Sequence, residues 1–548
     1  MNQGSPPTHQ AQEKLTLGEV VQRAFRELGE TFVAFAKAPK ALWGVNVPYV
    51  LEGLVYFGIL TILGKYCSEN VQLSDIHAGW VYTGLTGGIT LAMLFLGGMS
   101  DRIGVRRALI LAFIAFTVGR GLLAISGTFD LGHGVFSPMF FVMSAGLLIT
   151  LLAYGLYQPA AYAGVKRYTT PKTAAMGYSV IYGLMNLGAF FSGFVSPKVR
   201  HHFEDVFPPN GLTAVLWTYT LLCAAALLIT LLILTRKTDR LAVERLAQEA
   251  AEAEAEKEGG ETPPPVEDSP QPPPINHWPL VGWLSLTGVF VLLALLTHGG
   301  VVDAWLSLPL GSWTIRLPWP WLASVVFGVA AVIEFLRVRP DHPFRDARFT
   351  FFIFILIPVQ TLFAHNWLTL PYYLDRAFRG SMVSDYFEFF SNINPILIFV
   401  LAPIVAGLTS RANVYTMMIA GTLVMAAPTF LLALGPMVFP FLLYVLLMSI
   451  GEAMWQPRFL QWIAEIAPPD KTGLYMGIGQ FPWFLTKFGT GLYSGYFVEK
   501  FIPRPETGLP MNTGLMWLIY AGIAMISPVA LILARNWMAK GMREKHGA

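Results

Sequence analysis

Residues 79–126 read GWVYTGLTGGITLAMLFLGGMSDRIGVRRALILAFIAFTVGRGLLAIS, and this stretch decides the fold class. It holds two apolar runs, at 79–99 and 106–126, with a short charged loop between them. A run of roughly 20 apolar residues is long enough to cross the hydrocarbon core of a bilayer as one helix. The stretch therefore predicts two membrane-spanning helices that run in opposite directions.

The composition of the whole chain agrees with this interpretation. Of the 548 residues, 54% are hydrophobic and only 13% are charged. A soluble domain of this length could not bury so much apolar surface, whereas spanning helices expose it to lipid. The net charge of +3 argues against nucleic acid as a partner. Cys67 and Cys223 lie in different hydrophobic segments, so they predict neither a disulfide framework nor a metal site.

Twelve further apolar runs are predicted to span the membrane, which makes about fourteen spans in all. The fourteen predicted spans, including the first two, lie at 43–64, 79–99, 106–126, 138–162, 175–195, 213–235, 279–298, 319–338, 349–374, 385–409, 413–434, 438–463, 473–497 and 513–535. The order along the chain is six, two and six. The sequence thus predicts an all-α membrane protein.

The segments between and around the spans set the predicted domain boundaries. Residues 1–40 form a polar tail and an amphipathic helix, which lies on the membrane surface or packs against the protein body. This region lacks the apolar core of a signal peptide. The predicted domains are a first six-helix bundle at 41–236, a charged and proline-rich linker at 237–277, two extra helices at 278–340, a second bundle at 341–536 and a tail at 537–548.

Basic residues in the loops predict the orientation, because loops rich in lysine and arginine stay on the cytoplasmic side. Most of them fall on one side if both termini are cytoplasmic. They are Arg102, Arg106, Arg107, Lys166, Arg167, Lys172, Arg236, Lys237, Arg240, Arg337, Arg339, Arg345, Arg348, Lys540, Arg543 and Lys545. The opposite loops hold fewer, namely Lys198, Arg200, Arg376 and Arg379. We predict a multi-pass protein of the bacterial inner membrane with both termini inside.

The loop at 97–107, GGMSDRIGVRR, resembles the signature loop of the major facilitator superfamily. That loop has a glycine, then Asp-Arg, then a glycine and basic residues; here Val105 intervenes before the arginines. A basic loop that merely obeys the topology rule explains the arginines but not the order of the motif. The predicted gating residues are Gly97, Asp101, Arg102, Gly104, Arg106 and Arg107.

Several other stretches resemble the proton-dependent oligopeptide transporter family of this superfamily. The matching segments are Tyr182 with Asn186-Leu187-Gly188, Asn392 to Ile396 with Ala402-Pro403, and Gly451-Glu452 with Pro457, Ala467-Pro468 and Met476-Gly477. The resemblance implies a major facilitator fold of two six-helix bundles, with the two extra helices that bacterial members carry between them. It also implies proton-coupled movement of small peptides.

Two positions depart from the family pattern. The family's first helix has Glu-x-x-Glu-Arg-Phe, where this chain keeps only Glu52 and has Gly53 in place of the arginine. The family's lysine before a proline in the fourth helix is Gln158 before Pro159 here. We therefore predict a small polar solute: a di- or tripeptide, or a related zwitterion or organic anion.

Ionisable residues inside predicted spans are the candidate functional groups, because a buried charge costs several kcal/mol unless it is paired or wet. Glu452 and Glu52 are the predicted proton-coupling residues, and the resemblance places the first of them near the substrate. Arg120 and Arg458 are predicted to pair with one of these carboxylates or to bind an anionic group; the alternative for Arg458 is that it reaches toward the cytoplasm. Lys487 interrupts the eleventh main span and predicts a cavity or gate role.

Uncharged polar residues complete the candidate set. The predicted substrate-binding residues are Arg120, Tyr56, Gln158, Asn186, Gln360, Asn394, Arg458 and Lys487. His365 and Asn366 are further polar candidates, and any of the uncharged ones would also serve as hydrogen bonds between helices.

Two functions from different classes follow. The first is a secondary transporter that moves a small polar solute by alternating access, with protons as the coupled ion. The alternative is a non-transporting receptor or scaffold that keeps the same fold. No catalytic constellation, phosphate-binding loop or metal cluster is visible, so neither an enzyme nor a cofactor is expected.

Overall fold

The computed structural model describes residues 39–96, 99–169, 171–255, 278–298, 302–310, 313–340, 342–409, 412–466 and 481–538, with isolated positions at 18, 22, 26, 475, 478 and 479. Within these ranges, eleven helices are long and apolar enough to cross a membrane. The other three predicted spans fall on helices Asp75–Leu96, Trp278–His298 and Phe481–Phe501. The predicted helical class is confirmed, while the count of fourteen spans stays a prediction.

The first half of the chain forms six long helices and one short one. They are α1 (Lys40–Lys65), α2 (Asp75–Leu96), α3 (Met99–Ile103), α4 (Val105–Ser126), α5 (Pro138–Arg167), α6 (Pro171–His202) and α7 (Leu212–Ile233). A π-helical turn, Tyr66–Asn70, extends α1. We call the end of the bundle where α1 ends and α2 begins the α1–α2 end.

A further helix, α8 (Arg236–Ala255), follows the first bundle where the sequence predicts a helical linker segment. It is tied to the bundle through Asp239, which accepts hydrogen bonds from Arg167 Nε at 3.0 Å and the Tyr168 hydroxyl at 2.8 Å. Burial and this hydrogen bond raise the pKa of Tyr168. The proline-rich part of the linker and nearly all of the predicted N-terminal amphipathic helix lie outside the described residues.

The segment between the two halves contains strands as well as helices. Helices α9 (Trp278–His298) and α10 (Trp319–Arg337) flank the antiparallel strands β1 (Trp305–Leu310) and β2 (Trp313–Pro318). The sequence analysis assigned no element to residues 299–318, and this hairpin adds two short strands to an otherwise helical fold. Apolar residues alternate along WLSLPL and WTIRLP, and the intervening Gly-Ser pair is typical of a tight hairpin turn.

The second half contains more interruptions than the first. Its helices are α11 (Ala347–Ile355), α12 (Ile357–Leu368), α13 (Leu370–Ala377), α14 (Met382–Asp385), α15 (Phe387–Ser391), α16 (Ile393–Leu408), α17 (Val414–Ala426), α18 (Thr429–Leu432), α19 (Val438–Ile466), α20 (Phe481–Phe501) and α21 (Thr513–Leu533). The predicted single span at 349–374 is thus three helices. Pro358 and Pro371 explain the breaks, since proline is tolerated in the first turn of a helix but not in its interior.

The chain divides into two compact units. Residues 1–259 and 354–548 form the first, which contains the first half and the second half from the end of α11 onward, and residues 260–353 form the second, which contains α9, β1, β2, α10 and most of α11. Within the first unit, glycines bring helices into backbone contact. A Cβ on Gly495 of α20 would lie 2.3 Å from the carbonyl oxygen of Asp75 on α2, so only glycine fits at this crossing of the two halves.

Candidate functional site

A closed ion pair occupies the interior of the first half. Arg120 on α4 donates to both carboxylate oxygens of Glu52 on α1, at 2.5 and 2.6 Å. The same guanidinium donates to the Tyr154 hydroxyl on α5 and to Cys223 Sγ on α7. The Tyr154 hydroxyl also donates to Glu52. The structure therefore joins Arg120 to Glu52, one of the pairings that the sequence leaves open.

This cluster is shut off from solvent. Glu52 is 3% exposed and Arg120 is 1% exposed. Beside Glu52, Gly53 packs against α6, and an added Cβ would lie 2.9 Å from the backbone oxygen of Met185. No arginine fits at this position without moving α6. The pair holds α1, α4, α5 and α7 together, and both of its charges are already satisfied within the bundle.

Glu452 on α19 forms the corresponding polar centre of the second half. Its Oε2 accepts a hydrogen bond of 2.9 Å from the amide of Asn394 on α16, which also donates to Ser449 Oγ at 3.0 Å. Glu452 is buried. The structure shows no ion pair for this carboxylate in the described part of the chain, so a single neutral donor holds it. Asn394 thus contacts the carboxylate directly.

Three aromatic rings pack together about one turn along α19 from Glu452. The indole of Trp455, one turn along α19 from Glu452, stacks on Trp483 of α20 with ring centroids 6.4 Å apart. Phe363 of α12 completes the group, with its ring centroid 5.2 Å from Trp483 and 6.3 Å from Trp455. We call these three residues the aromatic triad. It links α12, α19 and α20.

One face of α6 shows where the two halves touch and where they separate. Tyr178 and Tyr182 on this face are exposed to solvent. The side chain of Tyr182 is 48% exposed even though other parts of the protein surround this residue. Eighteen residues separate Tyr178 from Ser196, which is five turns of 3.6 residues, so the two share the face. Ser196 and Arg200 are buried there against Glu388 of the second half. The halves meet at the α1–α2 end and leave the other end open.

Tyr182 borders this opening from the first half and lies near Glu452 of the second half. The amide of Asn186 bonds to the Tyr182 carbonyl oxygen at 3.0 Å. On the neighbouring α5, the amide of Gln158 donates to the Tyr49 hydroxyl at 2.9 Å. Apart from Arg120, which is paired with Glu52, the predicted binding residues of the first half thus present amide and phenol groups rather than charges.

The remaining predicted binding residues have different surroundings. The ring of Tyr56 packs edge-on against Tyr154, with centroids 5.1 Å apart. Gln360 is buried on α12 and accepts a hydrogen bond of 3.1 Å from Thr486. Arg458 donates to the carbonyl oxygen of Thr409 at 2.5 Å, near the end of the bundle opposite the α1–α2 end.

His365 lies in a buried hydrogen-bonded group of the second half. Its ring nitrogens contact Thr369 Oγ1 at 2.8 Å and the Tyr493 hydroxyl at 3.1 Å, and its ring stacks on Tyr520 with centroids 3.8 Å apart. Thr369 is the junction between α12 and α13. These contacts bridge three helices, and Asn366 is buried beside His365 on α12.

The predicted gating loop is partly described. Gly97 and the side chain of Asp101 lie outside the described residues. Gly104 precedes α4 with a φ of 86°, a conformation that favours glycine. Arg106 Nε donates to the carbonyl oxygen of Leu234 at 2.7 Å and ties the loop to the end of α7. Arg102 and Arg107 are exposed.

Two ion pairs close the α1–α2 end around α13. Arg376 donates to both carboxylate oxygens of Asp75 on α2, at 2.8 and 3.1 Å, and Arg504 approaches the same carboxylate at 3.6 Å. On the other side of α13, Asp375 contacts Lys65 Nζ of α1 at 2.6 Å. Each pair joins the first half to the second.

A third pair extends the closure to α6. Arg200 Nε donates to Glu388 Oε1 on α15 at 2.7 Å, and its Nη2 donates to the carbonyl oxygen of Asp385 at 2.7 Å. The ring of Phe387 lies between two cations, 4.5 Å from Lys65 Nζ and 5.2 Å from the Arg200 guanidinium carbon. We call the residues of these three pairs the closing cluster: Lys65, Asp75, Arg200, Asp375, Arg376 and Glu388.

The sequence analysis missed the closing cluster. It counted Arg200 and Arg376 as loop charges, but they are only 9% and 5% exposed. That placement was wrong because helices α6 and α13 extend past the apolar runs and carry these residues into the interface. The sequence signal that could have predicted the closing cluster was the presence of charges of both signs at the same ends of the predicted spans.

The comparison with protein families agrees with this architecture of two six-helix halves around a cleft. The family model of the Major Facilitator Superfamily matches residues 48–486. The chain belongs to the major facilitator superfamily. No curated protein matches the sequence strongly enough to add a relative.

The chain is also similar in fold to solved structures of POT family transporters. The chain resembles a peptide transporter POT in complex with sulfate, with a TM-score of 0.62 and 18% identity over 92% of this chain and 95% of that chain. The POT family transporter PepTSo gives 0.61 and 16% over 92% and 99%. A POT family transporter in complex with 5-aminolevulinic acid gives 0.59 and 16% over 91% and 97%. These identities establish a shared fold.

Proposed function

We propose that this major facilitator protein is a secondary transporter of the bacterial inner membrane that works by alternating access. The closing cluster carries the proposal. Its three ion pairs join the two halves at the α1–α2 end, while Tyr178 and Tyr182 on the same face of α6 are exposed toward the opposite end. Both termini are cytoplasmic in this proposal, so the described conformation is closed to the periplasm and open to the cytoplasm.

Proton coupling is assigned to Glu452. A buried carboxylate with one neutral hydrogen-bond donor and no ion pair is stabilised when it takes up a proton. Glu52 is a weaker candidate, because the bidentate contact with Arg120 satisfies its charged form. Breaking that pair for each transport cycle would leave an uncompensated charge in the first half.

The proposed substrate is a small polar solute such as a di- or tripeptide or a related zwitterion. The cleft presents Glu452 and Lys487 from one half and phenol and amide groups from the other. This mixture suits a molecule with charged ends. The POT structures that share the fold were solved with small polar ligands, including sulfate and 5-aminolevulinic acid.

Reconstitution in liposomes tests the transport function. Purified protein in liposomes with an acidic exterior is offered radiolabelled dipeptides, amino acids and organic anions. We expect one class to accumulate above its external concentration and to leak out when an uncoupler collapses the pH gradient. Binding of a compound without flux in either direction would overturn the transporter and indicate the receptor.

A further inference from the structure

The acidic group of a zwitterionic solute needs a cation in the cleft, and the first half does not offer a free one. Both terminal nitrogens of Arg120 are engaged with Glu52, Tyr154 and Cys223, its Nε is buried, and Gly53 leaves no space for a side chain beside it. Detaching Arg120 from Glu52 to bind a solute would expose the carboxylate to an apolar interior at high cost. The anion-binding group must therefore come from elsewhere.

Lys487 on α20 satisfies this need. The lipid-facing side of α20 carries the exposed Phe488, Leu492 and Tyr496, whereas the buried Thr490 and Ser494 lie on the opposite side. At 100° per residue, Lys487 falls on the side of Thr490 and Ser494. Protein surrounds it, its side chain is only partly accessible to solvent, and it has no hydrogen-bond or ion-pair partner among the described residues.

The aromatic triad places Lys487 and Glu452 at matching depth. Trp455 follows Glu452 by three residues on α19, and Trp483 precedes Lys487 by four residues on α20. The two helices run in opposite directions, so both charges lie about one turn, roughly 5.4 Å, from the stacked tryptophans on the side of the α1–α2 end. The cation and the carboxylate thus lie at about the same level along the two helices.

We propose that Lys487 binds the acidic group of the solute, and that the second half therefore supplies both charged contacts of the binding site. The ammonium group of the solute faces Glu452 and Asn394, and its acidic group faces Lys487. The substrate class is a small zwitterion with a free carboxylate or similar anion. The biological meaning of this inference rests on the proposed transport function. The proposed binding contacts themselves do not depend on it.

Equilibrium binding to the purified full-length protein tests the assignment. The probes are L-alanyl-L-alanine, its C-terminal amide and its N-acetyl derivative, measured by calorimetry. Because a hydrogen bond to a charged group contributes about 10- to 150-fold in affinity, the wild type should bind the free acid at least about tenfold more tightly than the amide. Lys487→Gln should bind both equally, through loss of affinity for the acid.

Two variants control this result. Lys487→Arg keeps the positive charge and should keep the preference for the free acid. Lys500→Gln removes an exposed cation from the far end of the same helix and should leave all three affinities unchanged. Removing an unpaired cation from a spanning helix should not impair folding, which thermal unfolding of Lys487→Gln checks.

The outcomes separate this inference from the proposed function. An unchanged preference for the acid in Lys487→Gln overturns the assignment of Lys487 even if the wild type transports. A wild type that binds none of the three probes overturns the zwitterion class and the inference with it. Binding that depends on Lys487, without flux in liposomes, supports the inference and overturns the proposed transport.

Discussion

Arg376→Gln should shift the protein toward a conformation that is open at the α1–α2 end. Arg376 makes two hydrogen bonds to Asp75 and a third of 2.8 Å to the carbonyl oxygen of Ile502, and both charged residues are buried. Removing one partner of a buried ion pair costs about 3–5 kcal/mol. Arg504 is partly exposed and lies 3.6 Å from Asp75, so its remaining ion pair with Asp75 would offset about 1 kcal/mol of this cost.

The remaining cost of roughly 2–4 kcal/mol applies only to the closed conformation, since separation of the halves hydrates Asp75. It corresponds to a shift in the conformational equilibrium of roughly 30- to 1000-fold. Spin labels on Phe129→Cys and Met382→Cys, both exposed at this end on opposite halves, report the separation by pulsed electron resonance. The native Cys67 and Cys223 are free but buried, so they should not be labelled.

Two further variants isolate the cause. Asp75→Asn combined with Arg376→Gln removes both buried charges and should restore much of the closed population. Arg379→Gln removes an exposed cation three residues away and should leave the distance distribution unchanged. Identical distances in Arg376→Gln and the wild type would refute the argument that this ion pair holds the end closed.

Three other perturbations have clear expected outcomes. Glu452→Gln should abolish accumulation against a gradient while exchange of labelled solute across proteoliposomes continues; accumulation at the wild-type level would remove this residue from proton coupling. Glu52→Gln or Arg120→Gln alone should each lower stability in detergent by about 3–5 kcal/mol, and the double change should cost less than the sum; additive losses in thermal unfolding would contradict a mutual pair. Gly495→Ala should cost about 1–3 kcal/mol because its Cβ meets the Asp75 backbone, whereas Gly522→Ala, where the space is open, should be neutral or stabilising; equal melting temperatures for the two would contradict the close crossing.

The spans could be predicted from sequence because a bilayer imposes one simple requirement, a long apolar run, on every helix that crosses it. The prediction failed for features of the fold that this requirement does not determine. The predicted single span at 349–374 proved to be broken at Pro358 and Pro371, although proline is a visible signal. The hairpin between α9 and α10 was missed because the sequence was searched for apolar runs long enough to span a membrane, and each strand has only six residues.

The residues of the candidate site could likewise be predicted from the sequence only in part. Glu52, Arg120 and Glu452 stand out in sequence because a charge inside an apolar run requires an explanation. Asp75 and Arg376 do not, since charges at the ends of spans are also what the topology rule predicts for loops. The two residues are 301 positions apart in the chain, and only the packing of the two halves brings them together.

The most direct test of alternating access measures both ends of the same molecule. A second label pair, at the exposed Lys166 and Asn536, reports the end opposite the α1–α2 end. The account predicts that Arg376→Gln lengthens the Phe129–Met382 distance and shortens the Lys166–Asn536 distance together, relative to the wild type. If the first distance lengthens while the second stays fixed or also lengthens, the two halves do not rock about a central site and the account is contradicted.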